Sequence, residues 1–492
     1  MDNKRLYIEE RLRKFELETE LNPKSYTAFW GWGLTIQQLA EMTGEERLFR
    51  KSFEKYKKAT ELNPDDYTAY FFWAVSLGRL AELKENELMF EKSFEMFEKA
   101  AERNPNNADI FFNWGGVLAN LSNLTDEENT LKSSLEKYAR ATELCPDNEK
   151  IYYNWGNSLF TLAQITGEEA WYHESFKKYE KVIEINPENY TAYNNLGAAL
   201  LYLQRLNEDE SLFERIFAIY EKITALKPEY TDAYDNWGNA LACLGKLKND
   251  ENLFRKAIEK HEKAAELNSK SAYWYWGNTL FNFAELMNDE SLYIECFDKY
   301  KKAASQNPQN YHVLYNWGLG LSSFARLKKT EESLFRESIE KFKLALSMDP
   351  EWNDALASWG VALCGLGKMK KDINLFKQGI KKYKKVIDLN PADEMVLLNW
   401  GIALCDIAKL QNNDTALLKE ALAKFQLLHN INKKTYCLAC VYALLHDKEK
   451  AFNYLKQSLE KKEEDVDYVL NDEDWKEYLE DDEFMEIVVN SE

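Results

Sequence analysis

The sequence predicts an all-α fold, a solenoid of antiparallel helix pairs, and three periodic features carry that expectation. A proline closes a helical run at Pro23, Pro64, Pro105, Pro146, Pro187 and Pro228, each 41 residues after the last. Pro308, Pro350 and Pro391 extend the series, and Ser269 fills its one missing place, so all nine prolines of the chain are used. An aromatic-glycine step recurs at the same interval. Its tryptophans are Trp32, Trp73, Trp114, Trp155, Trp237, Trp276, Trp317, Trp359 and Trp400, with Leu196 replacing one, and Ala74 alone replaces the glycine. Between these marks apolar residues return every three or four positions, the period of a helix face. A fixed interval of this length denotes an array, so the 492 residues are counted in repeats rather than in globular domains.

Along the chain, residues 1–22 read as a capping helix, dense in both charge signs, whose own partner is missing or is supplied by another molecule. Residues 23–432 hold ten long repeats. In the one that runs over 187–228, Tyr190, Tyr193, Leu196, Leu200, Leu203 and Leu206 make one helix face. An acidic turn at 207–210 suits a helix start, and Leu212, Phe213, Ile216, Tyr220, Ile223 and Leu226 make a second face until Pro228 stops it. Thr125 with Glu128 and Thr166 with Glu169 have the spacing of a capping box.

Two further columns run through the second helices. A small residue recurs at Ser52, Ser93, Ser134, Ser175, Ala257, Cys296, Ser338, Gly379 and Ala421. Four residues later come Tyr56, Phe97, Tyr138, Tyr179, His261, Tyr300, Phe342, Tyr383 and Phe425. A helix-interior glycine costs about 1 kcal/mol relative to alanine, so its repetition implies a close helix approach. The expected grammar is small residue against glycine, and aromatic ring against the neighbouring unit.

In these columns the chain resembles the tetratricopeptide repeat family. Gly156, Ser175, Tyr179 and Pro187 correspond to that family's small eighth, small twentieth, aromatic twenty-fourth and thirty-second proline positions. The resemblance implies a right-handed superhelical solenoid whose first helices line a concave groove. The family's unit has about 34 residues; here seven more fall between Gly156 and Ser175, which predicts about one extra turn in each helix. Residues 433–464 then read as a unit of the family's usual length, on Ala439, Tyr442, Ala451, Leu455 and Ser458. Residues 465–492 read as an acidic helical cap, in which Val469, Leu470, Trp475, Tyr478, Leu479, Phe484 and Ile487 cover the exposed end; a free acidic tail is the alternative.

Composition narrows the function. Charged residues make up 30% of the chain, and no apolar run approaches the roughly 18 residues of a spanning helix, so no membrane role is expected. Without a signal-peptide core, and with seven scattered cysteines, a cytoplasmic address is expected. The net charge of −20 is uneven: residues 463–492 contain fourteen Asp or Glu against one Lys. No concentrated basic surface remains for nucleic acid.

No catalytic constellation emerges, and the expectation is a protein that is not an enzyme and uses no cofactor or metal. His173, His261, His312, His429 and His446 are isolated, and His261 falls in the aromatic packing column. Cys437 and Cys440 have CxxC spacing but lie within a helix without a second pair. The glycines of 360–368 lie in repeat helix and lack the Ser or Thr of a phosphate loop.

Asparagines remain. Asn113, Asn154, Asn195, Asn236, Asn316 and Asn399 precede the tryptophan or its substitute; Asn157, Asn239 and Asn278 follow the glycine; Asn282, Asn120 and Asn194 share the same broad face. Asparagine is unfavourable inside helices, so a stripe of it requires compensation. One explanation is a carboxamide ladder that holds the main chain of an extended segment, as the resemblance implies for some family members. The other is that the carboxamides bond to neighbouring repeats and order the stack. Aromatic and acidic residues, Phe71, Phe112, Tyr153, Asp235, Trp274 and Tyr315, occupy the groove positions at which a carboxylate clamp requires Lys or Arg. The expected function is therefore a protein-interaction scaffold binding an extended peptide or protein segment. The alternative is a self-associating structural solenoid, for which the Phe29 and Trp30 face would serve.

Overall fold

The computed structural model describes residues 2–125, 127–328 and 331–489, and these form helices and turns with no strand among them. The chain divides into two compact units, Met1–Ala240 and Leu241–Glu492. The first begins with α1 (Asp2–Leu21). It continues in pairs: α2 (Tyr26–Thr43) with α3 (Glu46–Leu62), α4 (Tyr67–Lys84) with α5 (Glu87–Arg103), α6 (Ala108–Thr125) with α7 (Glu128–Leu144), α8 (Glu149–Thr166) with α9 (Glu169–Ile185), and α10 (Tyr190–Asn207) with α11 (Leu212–Leu226). The division falls within α12 (Thr231–Lys248). The second unit holds α13 (Glu251–Glu266), then α14 (Ala272–Met287) with α15 (Glu290–Gln306), α16 (Tyr311–Lys328) with α17 (Glu332–Met348), α18 (Asn353–Lys370) with α19 (Ile373–Leu389), and α20 (Glu394–Leu410) with α21 (Thr415–Asn432). It ends in α22 (Tyr436–Leu444), α23 (Lys448–Glu460), α24 (Val466–Asn471), a 3₁₀ turn at Glu473–Tyr478 and α25 (Asp482–Val489).

Every pair but α4 with α5, where Ala74 stands in the glycine's place, brings the repeated glycine against the aromatic ring 23 or 24 residues beyond it. A Cβ placed on Gly156 would lie 2.8 Å from Tyr179 Cε1, and one on Gly277 2.6 Å from Tyr300 Cε1; Gly33, Gly115, Gly197 and Gly318 face Tyr56, Tyr138, Tyr220 and Phe342 in the same way. The expected grammar holds and is extended, because the ring also lies on the glycine of its own unit. The small residue meets the repeated-glycine position through its carbonyl, with Ser93 Oγ donating to Ala74 O and Ser338 Oγ to Gly318 O, both at 2.7 Å. The ring also touches the next unit. Phe97 stacks on Trp114 at 6.0 Å, and Tyr138, Tyr300 and Tyr383 share clusters with Trp155, Trp317 and Trp400. The tryptophan is thus a wedge between consecutive units, with a large apolar area buried on both sides.

The short loops have their own chemistry. Gly44 and Gly167, both at φ +70°, close α2 and α8 in the left-handed conformation that glycine accepts without cost. Asp289 accepts a hydrogen bond from the Ser291 amide at the start of α15. The capping boxes do not form. Thr125 and Thr166 end their helices and bond back to the carbonyls of Leu121 and Leu162, because Glu127 and Glu168 take the N-cap places.

The helices of 433–460 are short, nine residues in α22 and thirteen in α23, against eighteen and seventeen in α8 and α9. Beyond them Val469, Trp475, Phe484 and Val488 are buried against Ala439, Phe452 and Leu455. Leu479, expected in that contact, is instead 38% exposed. At the other end Phe15 of α1 fits against Gly31 of α2, and Trp30 stacks on Phe72 at 5.7 Å, so the Phe29 and Trp30 face is partly covered by the chain itself.

Candidate functional site

A second ladder, unread in the sequence, fixes the first helices. Lysine ammonium groups lie over the indoles at 3.4–3.9 Å: Lys55 on Trp32, Lys137 on Trp114, Lys178 on Trp155, Lys299 on Trp276, Lys341 on Trp317, Lys382 on Trp359 and Lys424 on Trp400. The negative ring face attracts the ammonium group. Burial lowers the pKa of Lys55, Lys178 and Lys382 from the ordinary lysine value, against the neighbouring carboxylates of Lys55 and Lys178. Where Leu196 replaces the tryptophan, Ile219 replaces the lysine, and both are buried. The column was visible in the sequence as a lysine beside the aromatic ring in all units but two, where Met96 and Ile219 stand, but a helix lysine ordinarily reads as a solvated face.

All ten candidate asparagines are half-buried, and they divide by what they touch. Asn195 Nδ2 donates to Asn157 Oδ1 at 2.9 Å, and that oxygen also accepts from Tyr179 Oη at 2.8 Å. The arrangement repeats at Asn316 Nδ2, Asn278 Oδ1 and Tyr300 Oη, at 2.9 and 2.8 Å. Asn195 also donates to Tyr153 Oη at 3.1 Å, and Asn236 donates to Asn194 at 3.0 Å. Asn113 and Asn399 bond back to the carbonyls of Asp109 and Met395 on their own helices, both at 2.8 Å. Asn154, Asn239 and Asn282 make no side-chain hydrogen bond among the described residues.

The register explains Asn154. In each complete rung the donor lies 38 residues after its acceptor, Asn195 after Asn157 and Asn316 after Asn278. The residue 38 before Asn154 is Gly116, so the acceptor is absent. Elsewhere the position after the repeated glycine carries Leu34, Val75, Asn157, Ala198, Asn239, Asn278, Leu319, Val361 or Ile402; Gly116 is its smallest occupant. A Cβ there would meet only Tyr138 Oη, at an unstrained 3.7 Å. The result is a cavity of about 320 Å³ lined by Asn113, Gly116, Asn154, Asn157, Tyr138 and Phe112. The Tyr138 hydroxyl, which burial pushes up to about 12 against hydrogen bonding with Ser158 and Ser134, lacks the carboxamide partner that Tyr179 and Tyr300 have. Arg79, Glu82, Asn120 and Asn123 line the same cavity; Arg79 pairs with Glu82 at 3.4 Å, and Asn120 donates to Glu82 at 3.2 Å. Sequence reading marked Asn120 but missed Gly116, although the doubled glycine at 115–116 was its signal.

Four of the first-helix rings lean on the ring column behind them. Phe71, Phe112, Tyr153 and Tyr315 lean on Phe97, Tyr138, Tyr179 and Phe342 at centroid distances of 6.0–6.4 Å. The remaining candidates for chemistry are structural. His261 is fully buried with Nε2 3.0 Å from Thr279 Oγ1, and residues 360–368 are interior to α18. Cys440 can bring its sulfur within 4.8 Å of carboxylate oxygens of Asp472 and Asp474. Lys409 is ion-paired to Asp474 there and supplies the positive charge, while burial raises the Cys440 thiol well above its ordinary value. Tyr436 Oη donates to Asp472 at 2.8 Å and accepts from Trp475 Nε1 at 3.3 Å, so this group fastens the C-terminal segment.

No helix among the described residues is long and apolar enough to cross a membrane. The family model described as tetratricopeptide repeat matches residues 191–224 and 231–269, and that of the plant-specific mitochondrial import receptor subunit TOM20 matches residues 84–199. No curated protein matches the chain. Among solved structures, yeast Tom70 is similar at 13% identity over 91% of this chain and 94% of its own, with TM-score 0.45. The C-terminal part of a TPR repeat-containing protein from Cytophaga hutchinsonii is similar at 14% identity over 55% and 95%, with TM-score 0.42. YrrB, described as a TPR protein with an unusual peptide-binding site, is similar at 20% identity over 44% and 95%, with TM-score 0.28. The tetratricopeptide-repeat match at 191–224 falls on the paired helices α10 and α11.

Proposed function

We propose that this tetratricopeptide-repeat chain is a non-enzymatic cytoplasmic scaffold that holds an extended peptide or protein segment on the asparagine-lined face of its first helices, and that the segment docks where the ladder is broken at Gly116. The supporting observation is the register. Asn154 stands where Asn195 and Asn316 stand in complete rungs, yet its acceptor position is glycine and the space is a cavity. A peptide amide has the donor and acceptor of a carboxamide. Placed there it accepts from Asn154 and Tyr138 and donates to the free oxygen of Asn113. Main-chain recognition of this kind binds many sequences, which suits a scaffold. The import-receptor match over 84–199 spans the same break and agrees with a role in holding other proteins.

The test is to complete the rung. Peptides selected from a random display library on the full chain are measured against Gly116→Asn. The expected result is a loss of at least about tenfold in affinity, roughly 1.4 kcal/mol, with unchanged helicity and an undiminished melting temperature. Failure to enrich any peptide, or equal binding by the two proteins, sinks the reading.

A further inference from the structure

The second unit has a cavity of about 560 Å³ that no tetratricopeptide rung explains, formed by the faces of α20 and α22 and the segment leading through α24. Its apolar part is open to solvent: Met395 is 49%, Ile402 42% and Tyr468 53% exposed, with Leu398 half-buried beside them. Six carboxylates but only three lysines line it. Two of the lysines are committed, Lys409 to Asp474 and Lys368 to Asp406. Among the remaining carboxylates, Glu394 accepts from Asn432 at 2.9 Å, Glu463 accepts from the amides of Thr435 and Tyr436 at 2.7 and 2.9 Å, and Asp472 accepts from Tyr436 Oη. Glu464 is different. It is half-buried, makes no hydrogen bond or ion pair among the described residues, and feels the like charges of Asp465, Glu463 and Asp472 against the opposite charge of Lys434. Burial, with these like charges, raises its carboxyl above the ordinary glutamate value, so the carboxylate is not satisfied by the chain itself.

We propose that this cavity is a second docking site, for a protein segment carrying a lysine or arginine between apolar side chains: the cation pairs with Glu464 and the flanking apolar groups cover Met395, Leu398, Ile402 and Tyr468. Charge complementarity selects this occupant, since an acidic segment would bring like charge to a site already in carboxylate excess. An exposed apolar surface rimmed by charge is the ordinary form of an interaction site. A metal ion is the weaker occupant, because Lys409 already neutralises Asp474.

The site is tested with the full chain on a synthetic hexapeptide array whose central residue is Lys, Arg, Gln or Glu and whose flanks are Leu, Phe or Ser. Binding is expected for Lys or Arg centres with Leu or Phe flanks, at least tenfold above the Glu series, to weaken with added salt, and to shift toward Glu centres in Glu464→Lys. Ile402→Ser, a change at an exposed position, is expected to weaken binding of the apolar-flanked peptides. Absence of binding, indifference to the central charge, or a signal unchanged in Glu464→Lys overturns the proposal. A signal that survives in Glu464→Lys but disappears in Gly116→Asn belongs to the groove of the first unit and likewise overturns it, so the two readings fail separately.

Discussion

The long hairpins and the C-terminal end hold their helices together by different means. In the hairpins, the contacts that recur from unit to unit are chiefly those of aromatic rings: ring on glycine, indole between units, ammonium over indole. At the C-terminal end the helices are short and the ties are polar and singular: Glu463 on the first amides of α22, Tyr436 on Asp472, Lys409 on Asp474, and one fully buried indole, Trp475. Repetition spreads the hairpins' stability over many equivalent interfaces. The end depends on a few residues, and carboxylates among them make it sensitive to acid.

The largest test of that contrast is Trp475→Ala, expected to cost about 3–5 kcal/mol as a buried aromatic deletion. The loss should be local. Amide exchange is expected to rise over 436–489, with α2–α9 protected as before; uniform loss of protection would place both regions in one cooperative unit. A smaller effect is expected in the body. Gly277→Ala gains helix propensity but drives a methyl into the buried Tyr300 ring, for a net cost of about 1–3 kcal/mol by denaturant unfolding. A neutral or stabilising result would show that the ring moves aside and that the glycine is not required for the approach.

Acid separates the regions next. Burial alone would raise the Glu463 carboxyl, but the amides of Thr435 and Tyr436 and the Thr435 hydroxyl outweigh it and hold it below the usual 4.5. A depressed carboxyl stabilises the fold above its unfolded value, and that contribution is lost as pH falls from about 4.5 through the lower folded value. The end should therefore lose protection first as pH falls through that window. Glu463→Gln should remove about 1–3 kcal/mol at neutral pH and flatten the decline, measured by amide exchange across the same residues. Glu464 and Asp474, raised by burial, act in the opposite sense, so the variant rather than the raw profile isolates Glu463.

The smallest effect concerns the indole-lysine pair. The double change Trp155→Leu with Lys178→Ile copies the Leu196 and Ile219 arrangement. It is expected to cost less than the sum of the single changes by about 0.5–2 kcal/mol, read from a double-mutant cycle. Additive costs would show that the ammonium contributes nothing through the ring.

Much of the body was legible because its signals are periodic. Pro187, Gly156 and Tyr179 announce a hairpin by position alone, and the paired helices follow. What a column cannot convey is direction. Tyr179 is as regular in sequence as Trp155, but only the fold shows that the first covers its own glycine while the second wedges between units. Lys178 was hidden for a related reason: its stem bends over an indole, and helical position does not encode that. The asparagine stripe was readable as a stripe, but not its division, because a carboxamide's partner depends on what stands 38 residues earlier. Gly116 was an absence inside a pattern, and no periodicity points to an absence.

The tryptophan wedge also makes the array self-reporting. Seven of these indoles each lie beneath their own lysine, so the emission of each samples its own junction more than any other. The unit built on Leu196 has no such indole and is optically silent. Replacing the ladder tryptophans one at a time by leucine would turn a single spectroscopic trace into an address-resolved record of where the stack opens first.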